Sequence, residues 1–430
     1  MTDPYRERRE RVLASLGDAC LVLPSAPVHI RNNDVEHEYR QDSDFYYLTG
    51  FDEPSSVLVL RAEAPRVVLF VRPRDPERET WDGLRAGVDG AKALGADEAF
   101  PISELAAELP KLLENSSRLY YRLGHDRGFD DRVLAALDVV RGRAKLGKWW
   151  PVQIVEPATL VHEMRSIKSE HELGLLRRAM EISAEAHLAA MAKTRPGCYE
   201  YEIEALLRSI FRKHGAERPA YEPIVGSGPN ATILHHRKND RRMNEGEVLL
   251  IDAGCEYGYY AADITRTFPV SGRFSPAQRE LYEVVLEAQR ASIAATCPGA
   301  TLDDVHAASV RVLTDGMVRL GLLAEPASEA IEKQTYKRYY MHRTSHWLGM
   351  DVHDVGPYFD RGKARPLCAG QVLTIEPGLY VRADDGDAPA QFRGIGIRIE
   401  DDVLVTADGC EVLSEAVPKT VADIERATAS

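Results

Sequence analysis

The sequence predicts an α/β N-terminal domain over residues 1–170 and an α+β C-terminal domain over 171–430, the second with an internal pseudo-twofold duplication. Three observations carry that expectation: short β-rich runs among helical segments in the first part, a strong helix start near residue 170, and a fragment that occurs twice beyond it. A chain of 430 residues also exceeds what one ordinary core organises, so two unequal domains fit its length.

In the first part, CLVLPS (20–25), SSVLVLR (55–61) and VVLFVRP (67–73) read as strands, being short apolar runs of valine and leucine bounded by turn formers. ISELAAELPKLLE (102–114) repeats its apolar residues at helical spacing. No cluster of potential ligands occurs here. The boundary falls near 155–172, where EPATLVHEMRSIKSE leads into a long helix opened by a capping box, Ser169 with Glu172. Its expected buried face is Leu175, Ala179, Ile182, Ala186 and Ala190, and Pro196-Gly197 ends it.

Helices and strands then alternate. MNEGEVLLIDAG (243–254) and LCAGQVLTIEPG (367–378) align without gaps, Gly246 on Gly370, Val248 on Val372, Leu249 on Leu373, Ile251 on Ile375 and Gly254 on Gly378. The acids align as well, Asp252 on Glu376. Two related halves packed about a pseudo-twofold axis would deliver both carboxylates to one place.

Composition narrows the function. Six cysteines without a C-x-x-C pair support neither a zinc ribbon nor a redox motif, and reduced thiols point to the cytoplasm. A formal net charge of -13 repels a phosphate backbone, so nucleic acid is not the expected partner. The opening MTDPYRERRERVLASL lacks the apolar core of a signal peptide, and no run approaches the ~18 apolar residues of a membrane span, so neither export nor a membrane is expected. His236-Arg237-Lys238 with Arg241 and Arg242 reads as a solvated loop.

The chemistry gathers at strand ends. Asp252 closes the apolar run VLLID, and a carboxylate carried toward a core must be neutralised, paired or bound to a cation. Asp263 follows a turn around Glu256-Tyr257-Gly258, so a hairpin can set the two acids face to face. Either acid alone would more simply be a helix cap or half of a salt bridge. The second half repeats the device with Glu376 in LTIEPG and Glu400 in GIGIRIEDD, and strand periodicity puts Arg398 on the face of Glu400, where it can pin a carboxylate. Between them MHRTSHWLGMDVHDVG supplies His342, His346 and His353. Four carboxylates and one imidazole over-neutralise a single divalent ion, whereas two ions with a shared hydroxide come close to balance. Oxygen-rich ligation suits manganese, and also cobalt or zinc.

IVGSGPNATILHH, LLIDAGCEYGYYAADITRTFPVSG, SHWLGMDVHDVG, VLTIEPGLY and FRGIGIRIEDDVLVT together resemble the pita-bread metallopeptidases, and within them the aminopeptidase P family. YRQDSDFYYLTGFDEP (39–54) resembles that family's non-catalytic N-terminal domain. The resemblance implies a pita-bread catalytic domain that releases the first residue from peptides beginning Xaa-Pro, through a dinuclear metal centre with a bridging hydroxide. It places the metal ligands on Asp252, Asp263, His346, Glu376 and Glu400, with two divalent cations, Mn2+ first and Co2+ or Zn2+ as alternatives. Glu376, His235 and His353 take the catalytic roles, and His342, Arg398, Tyr380 and Trp81 those of substrate contacts, Arg398 also supporting the ligand carboxylates. Trp81, in ETWDGLRAG, matches a position that reaches a neighbouring subunit's site, so a homodimer or homotetramer is expected; its plainer reading is a packing residue.

Three other readings share parts of this pattern. Prolidase has the same ligands and cuts only Xaa-Pro dipeptides. A methionine aminopeptidase usually lacks the large N-terminal domain, and a metal-free creatinase-like enzyme or binding module loses ligands that are all present here. The glycines at 226–228 and in RGIGIR lack the strand, Gly-rich loop and helix of a phosphate cradle, so close backbone approach explains them better.

Overall fold

The apolar run Cys20–Pro24 lies inside a six-stranded mixed sheet, ordered Glu98–Pro101, Val67–Val71, Val57–Arg61, Cys20–Pro24, Arg118–Tyr120 and Gln153–Val155. Cys20–Pro24, Val57–Arg61 and Val67–Val71 pair antiparallel, and the three shorter strands add in parallel. Helices Leu105–Leu113 and Arg127–Gly142 cover one face, so Val59, Val68 and Phe70 pack with Leu109, Leu113, Val133 and Leu137. Burial on both faces is why these strands read as unbroken apolar runs rather than alternating ones. The three strands expected from sequence form; the three parallel ones escaped it, because runs of three or four residues show too little periodicity.

This sheet belongs to the first of two compact units, Met1–Glu163 and Met164–Ser430, in a computed structural model that describes residues 3–429. The division falls within the helix Ala158–Ser166.

The second unit opens on the helix Glu170–Lys193, capped by Ser169 and Glu172 as its sequence dictates. It stops at Lys193, before Pro196. Ala179, Ile182, Ala186 and Ala190 are buried as expected, whereas Leu175 is half-buried and Leu173, Leu176 and Met180 complete the inner face. The duplicated fragments become equivalent strands. Val248–Asp252 pairs antiparallel with Thr265–Pro269, Asp252 lying opposite Thr265. Val372–Ile375 pairs antiparallel with Asp401–Val405, and Gly378–Val381 with Ile395–Arg398, so Glu376 and Glu400 sit at the junctions between those ladders.

The halves are stitched together beside the acids. Thr267 Oγ1 donates to the Arg398 carbonyl at 3.0 Å, and the Glu400 N–H donates to the Thr265 carbonyl at 3.0 Å. The hairpin between Asp252 and Asp263 is interrupted, since Cys255–Tyr257 and Tyr260–Ala261 leave the ladder and form a small sheet with Arg218–Pro219. Where the chain turns away, a Cβ on Gly254 would lie 1.8 Å from the Ala262 carbonyl oxygen, so only glycine fits. The same holds at Gly396, whose Cβ would meet the Ala231 carbonyl oxygen at 2.0 Å; close approach, not phosphate binding, explains that glycine. Among the described residues no helix is long and apolar enough to cross a membrane.

Candidate metal centre

Each acid comes from a strand end or junction, which lets a short side chain reach a shared space while its backbone stays in the sheet. Asp252 ends its strand, and Asp263 lies two residues before the next. The Tyr221 hydroxyl lies within hydrogen-bonding distance of one oxygen of each, though a phenol can donate only one proton. Arg398 donates through Nη2 to Asp252 Oδ2 and through Nε to Thr265 Oγ1 at 3.2 Å. Thr265 Oγ1 donates in turn to Glu400 Oε2 at 2.7 Å.

Asp263, His346 and Glu400 present ligand atoms that all lie within 4.8 Å of one another. His346 Nε2 is 3.4 Å from Asp263 Oδ2 and 3.6 Å from Glu376 Oε1. Its Nδ1 lies 3.0 Å from the Trp347 carbonyl, a bond that keeps a proton on Nδ1 and turns Nε2 toward the acids, where a bound cation would take the place of a second proton. Asp252, Asp263, His346, Glu376 and Glu400 all line one cleft of about 750 Å³.

The outer residues sit around it. His353 packs edge-on against His346 with ring centroids 4.5 Å apart, and His235 and His342 line the same cleft. His342 Nε2 lies 2.9 Å from the Tyr380 hydroxyl, which also accepts from Arg398 Nη1 at 3.1 Å, so Tyr380 stands behind the site as a brace between them. Trp81 belongs to the first unit, on the short helix Pro76–Asp82, where 84% of it is exposed; it packs into no core there.

Electrostatics explain what this arrangement requires. Burial, and then the charges of Asp263, Glu376 and Asp252, push the Glu400 carboxyl well above the ordinary carboxylate range. Burial pushes Glu376 up to about 7 against the pull of His346 and Arg398. Burial also raises Asp252, opposed by Arg398, whereas for Asp263 burial is outweighed by the hydrogen bond and charge of His346 and the net shift is down. Burial lowers His346, yet Asp263 and Glu376 lift it to about 9. His342, half-buried and facing Arg398, is lowered to about 3 by its loss of solvent and then by that charge, so its 3.8 Å approach to Glu376 is a contact of a neutral ring rather than an ion pair. Three buried carboxylates and the half-buried Glu376 thus crowd one guanidinium and one imidazole, and in the absence of a cation the cluster has to hold protons, on His346 and Glu400 first. Carboxylate oxygens with one imidazole nitrogen fit divalent cations of the manganese, cobalt and zinc kind.

Two supports escaped the sequence reading. Tyr221 lies outside every acid-bearing segment, and Thr265 reads as an ordinary strand residue; neither carries a signal without the fold. The basic stretch corrects one expectation, for only part of it is solvated. Arg237 and Lys238 are exposed, but His236 is buried and Arg241 pairs with Glu247.

Known proteins resemble this chain along its whole length. The model of metallopeptidase family M24 matches residues 174–407, and that of the aminopeptidase P N-terminal domain matches residues 5–120. A Haemophilus influenzae Xaa-Pro aminopeptidase is 44% identical over 427 residues, covering 98% of this chain and 96% of the relative. The structure of Pseudomonas aeruginosa aminopeptidase PepP superposes with a TM-score of 0.97 at 51% identity, covering 99% of this chain and 97% of that one. Zinc-substituted Escherichia coli aminopeptidase P in complex with product gives a TM-score of 0.96 at 43% identity, with 99% and 98% covered.

Proposed function

The chain belongs to metallopeptidase family M24 and carries an aminopeptidase P N-terminal domain, and from that premise we propose how it releases the first residue from peptides beginning Xaa-Pro. One observation carries the reading: four carboxylates and one imidazole, delivered by both halves of the duplication, face a single cleft. We assign metal ligation to Asp252, Asp263, His346, Glu376 and Glu400. Two divalent ions held there, Mn2+ first and Co2+ or Zn2+ as alternatives, would lower the pKa of a shared water to give a hydroxide and polarise the scissile carbonyl.

The side chains supply the rest. Glu376, the acid that no guanidinium holds, takes the proton of the attacking water and returns it toward the departing nitrogen. His353 or His235 steadies the oxygen of the former carbonyl. Arg398 and Tyr221 hold Asp252 so that substrate entry does not displace it. A proline nitrogen carries no hydrogen in the scissile bond, so the ring is read by shape against Ile224, Leu234, Val352 and Tyr358, and the free amino terminus by an acid of the cluster.

The broader setting follows. Six thiols without a disulfide suit the cytoplasm, and the exposed Trp81 suits a homodimer or homotetramer that covers it. The test is metal-stripped protein resupplied with Mn2+, Co2+ or Zn2+ in turn and offered Xaa-Pro-Xaa and Xaa-Pro. Restored cleavage of the tripeptide is expected. Cleavage of Xaa-Pro alone would make the chain a prolidase, and no cleavage with any metal would overturn the reading.

A further inference from the structure

The loop 228–240 that carries His235 is anchored by a carboxylate that nothing in the reaction uses. Glu200, in the first turn of the helix Glu200–Lys213, is 0% exposed. Its Oε1 accepts from the Ser227 N–H at 2.7 Å, the Ser227 hydroxyl at 2.8 Å and Asn230 Nδ2 at 3.0 Å. Its Oε2 accepts from the Arg241 N–H at 3.0 Å and lies 3.1 Å from His236 Nε2. The Glu200 N–H completes the exchange by donating to the Arg241 carbonyl at 3.0 Å. One carboxylate thus holds the loop both where it leaves its strand and where it returns. One turn along the helix, Glu204 accepts from Asn239 Nδ2 at 2.8 Å, and Asn239 Oδ1 accepts from the Val225 N–H at 3.1 Å.

Helix capping does not account for Glu200. The helix has its own box, in which Glu202 accepts from the Tyr199 N–H at 2.7 Å. A buried carboxylate is costly unless its lone pairs are satisfied, and here they are satisfied by the loop. Neighbouring residues then face opposite ways, His236 buried beside Glu200 and His235 exposed in the cleft, with the Leu234 carbonyl 3.5 Å from Arg398 Nη2.

We propose that Glu200 is a positioning residue for His235: it grips His236 and both ends of the loop, and so fixes how far His235 reaches over the reacting carbonyl without touching substrate. The inference rests on His235 acting in the reaction as proposed above. Glu200→Gln keeps the shape but turns one acceptor into a donor among donors. Its kinetics on a Xaa-Pro-Xaa peptide are measured in the parent and in the His235→Ala background, with manganese content and Tm alongside. The expected result is a kcat lower by about tenfold to a hundredfold in the parent, a nearly unchanged KM, and less than about a twofold further loss when His235 is already alanine. Equal losses in both backgrounds would reduce Glu200 to a general fold support and overturn the proposal. So would wild-type kcat in Glu200→Gln while His235→Ala is impaired. A fully active His235→Ala would instead sink the premise. Should Glu200→Gln fail to fold, His236→Phe, which keeps a ring and loses the bond to Glu200, decides by the same outcomes.

Discussion

The strand that ends in Asp252 and the strand that runs into Glu376 are copies of one device, yet the chain treats their carboxylates differently. Asp252 receives the Arg398 guanidinium and the Tyr221 hydroxyl. Glu376 receives neither; its neighbours are His346 at 3.6 Å and the neutral His342 at 3.8 Å, and burial holds it at about 7. Duplication therefore decides where a carboxylate arrives, and what surrounds it decides what it can do. An acid locked to a guanidinium has its oxygens committed to that partner and to ligation, whereas one that faces imidazoles keeps an oxygen for a proton in transit.

The largest effect should come from the acid left unlocked. Glu376→Gln keeps the size and removes the base, so kcat/KM on a Xaa-Pro-Xaa peptide should fall by about a thousandfold with the Tm little changed. Full activity with normal metal content would remove Glu376 from its assigned role. The locked acid answers to a different experiment. Arg398→Met strands Asp252 beside Asp263 without its cation, which should cost about 3–5 kcal/mol of stability in metal-free protein, measured by urea denaturation. Loss of activity without loss of stability would mean that Arg398 serves substrate rather than Asp252.

The contrast also marks what the residues disclose by themselves. The paired fragments, the apolar runs that deliver Asp252 and Glu376, and the spacing of Arg398 from Glu400 are local patterns, and the ladders form where they point. The supports are not local. Tyr221 reaches Asp252 and Asp263 only because Ile224–Ser227 pairs with the strand of Asp252 and brings the residues just before it beside the acids, and Glu200 reaches Arg241 only because the loop between them folds back. Leu175 shows the limit within one helix, where helical spacing suits two adjacent stripes equally and only the packing partner chooses.

A smaller effect should follow from Tyr221→Phe, which removes the hydroxyl shared by the two aspartates. Manganese affinity, measured calorimetrically, should weaken by about tenfold to a hundredfold while the fold persists. If affinity is unchanged, Arg398 and Thr265 suffice to hold the first half's acids and the tyrosine is only packing.

The smallest effect tests where fixed cations meet the second half, which is behind His353 rather than on Glu376. Arg165 Nη2 donates to Asp354 Oδ1 at 2.6 Å and Lys168 Nζ to Oδ2 at 3.0 Å, both out of solvent. Burial alone would raise the Asp354 carboxyl, but Lys168 and Arg165 hold it below its ordinary value. A carboxylate whose folded pKa lies below its unfolded one stabilises the native state above about pH 4, and that contribution is lost as pH falls through the lower, folded value. Asp354→Asn keeps the shape and abolishes the titration. The stability advantage of the parent over this variant should therefore hold from neutral pH to about pH 4 and then shrink, by up to about 1.4 kcal/mol per pH unit. An advantage that stays flat from pH 6 to about pH 3 would show that the cations do not lock Asp354 in its charged form.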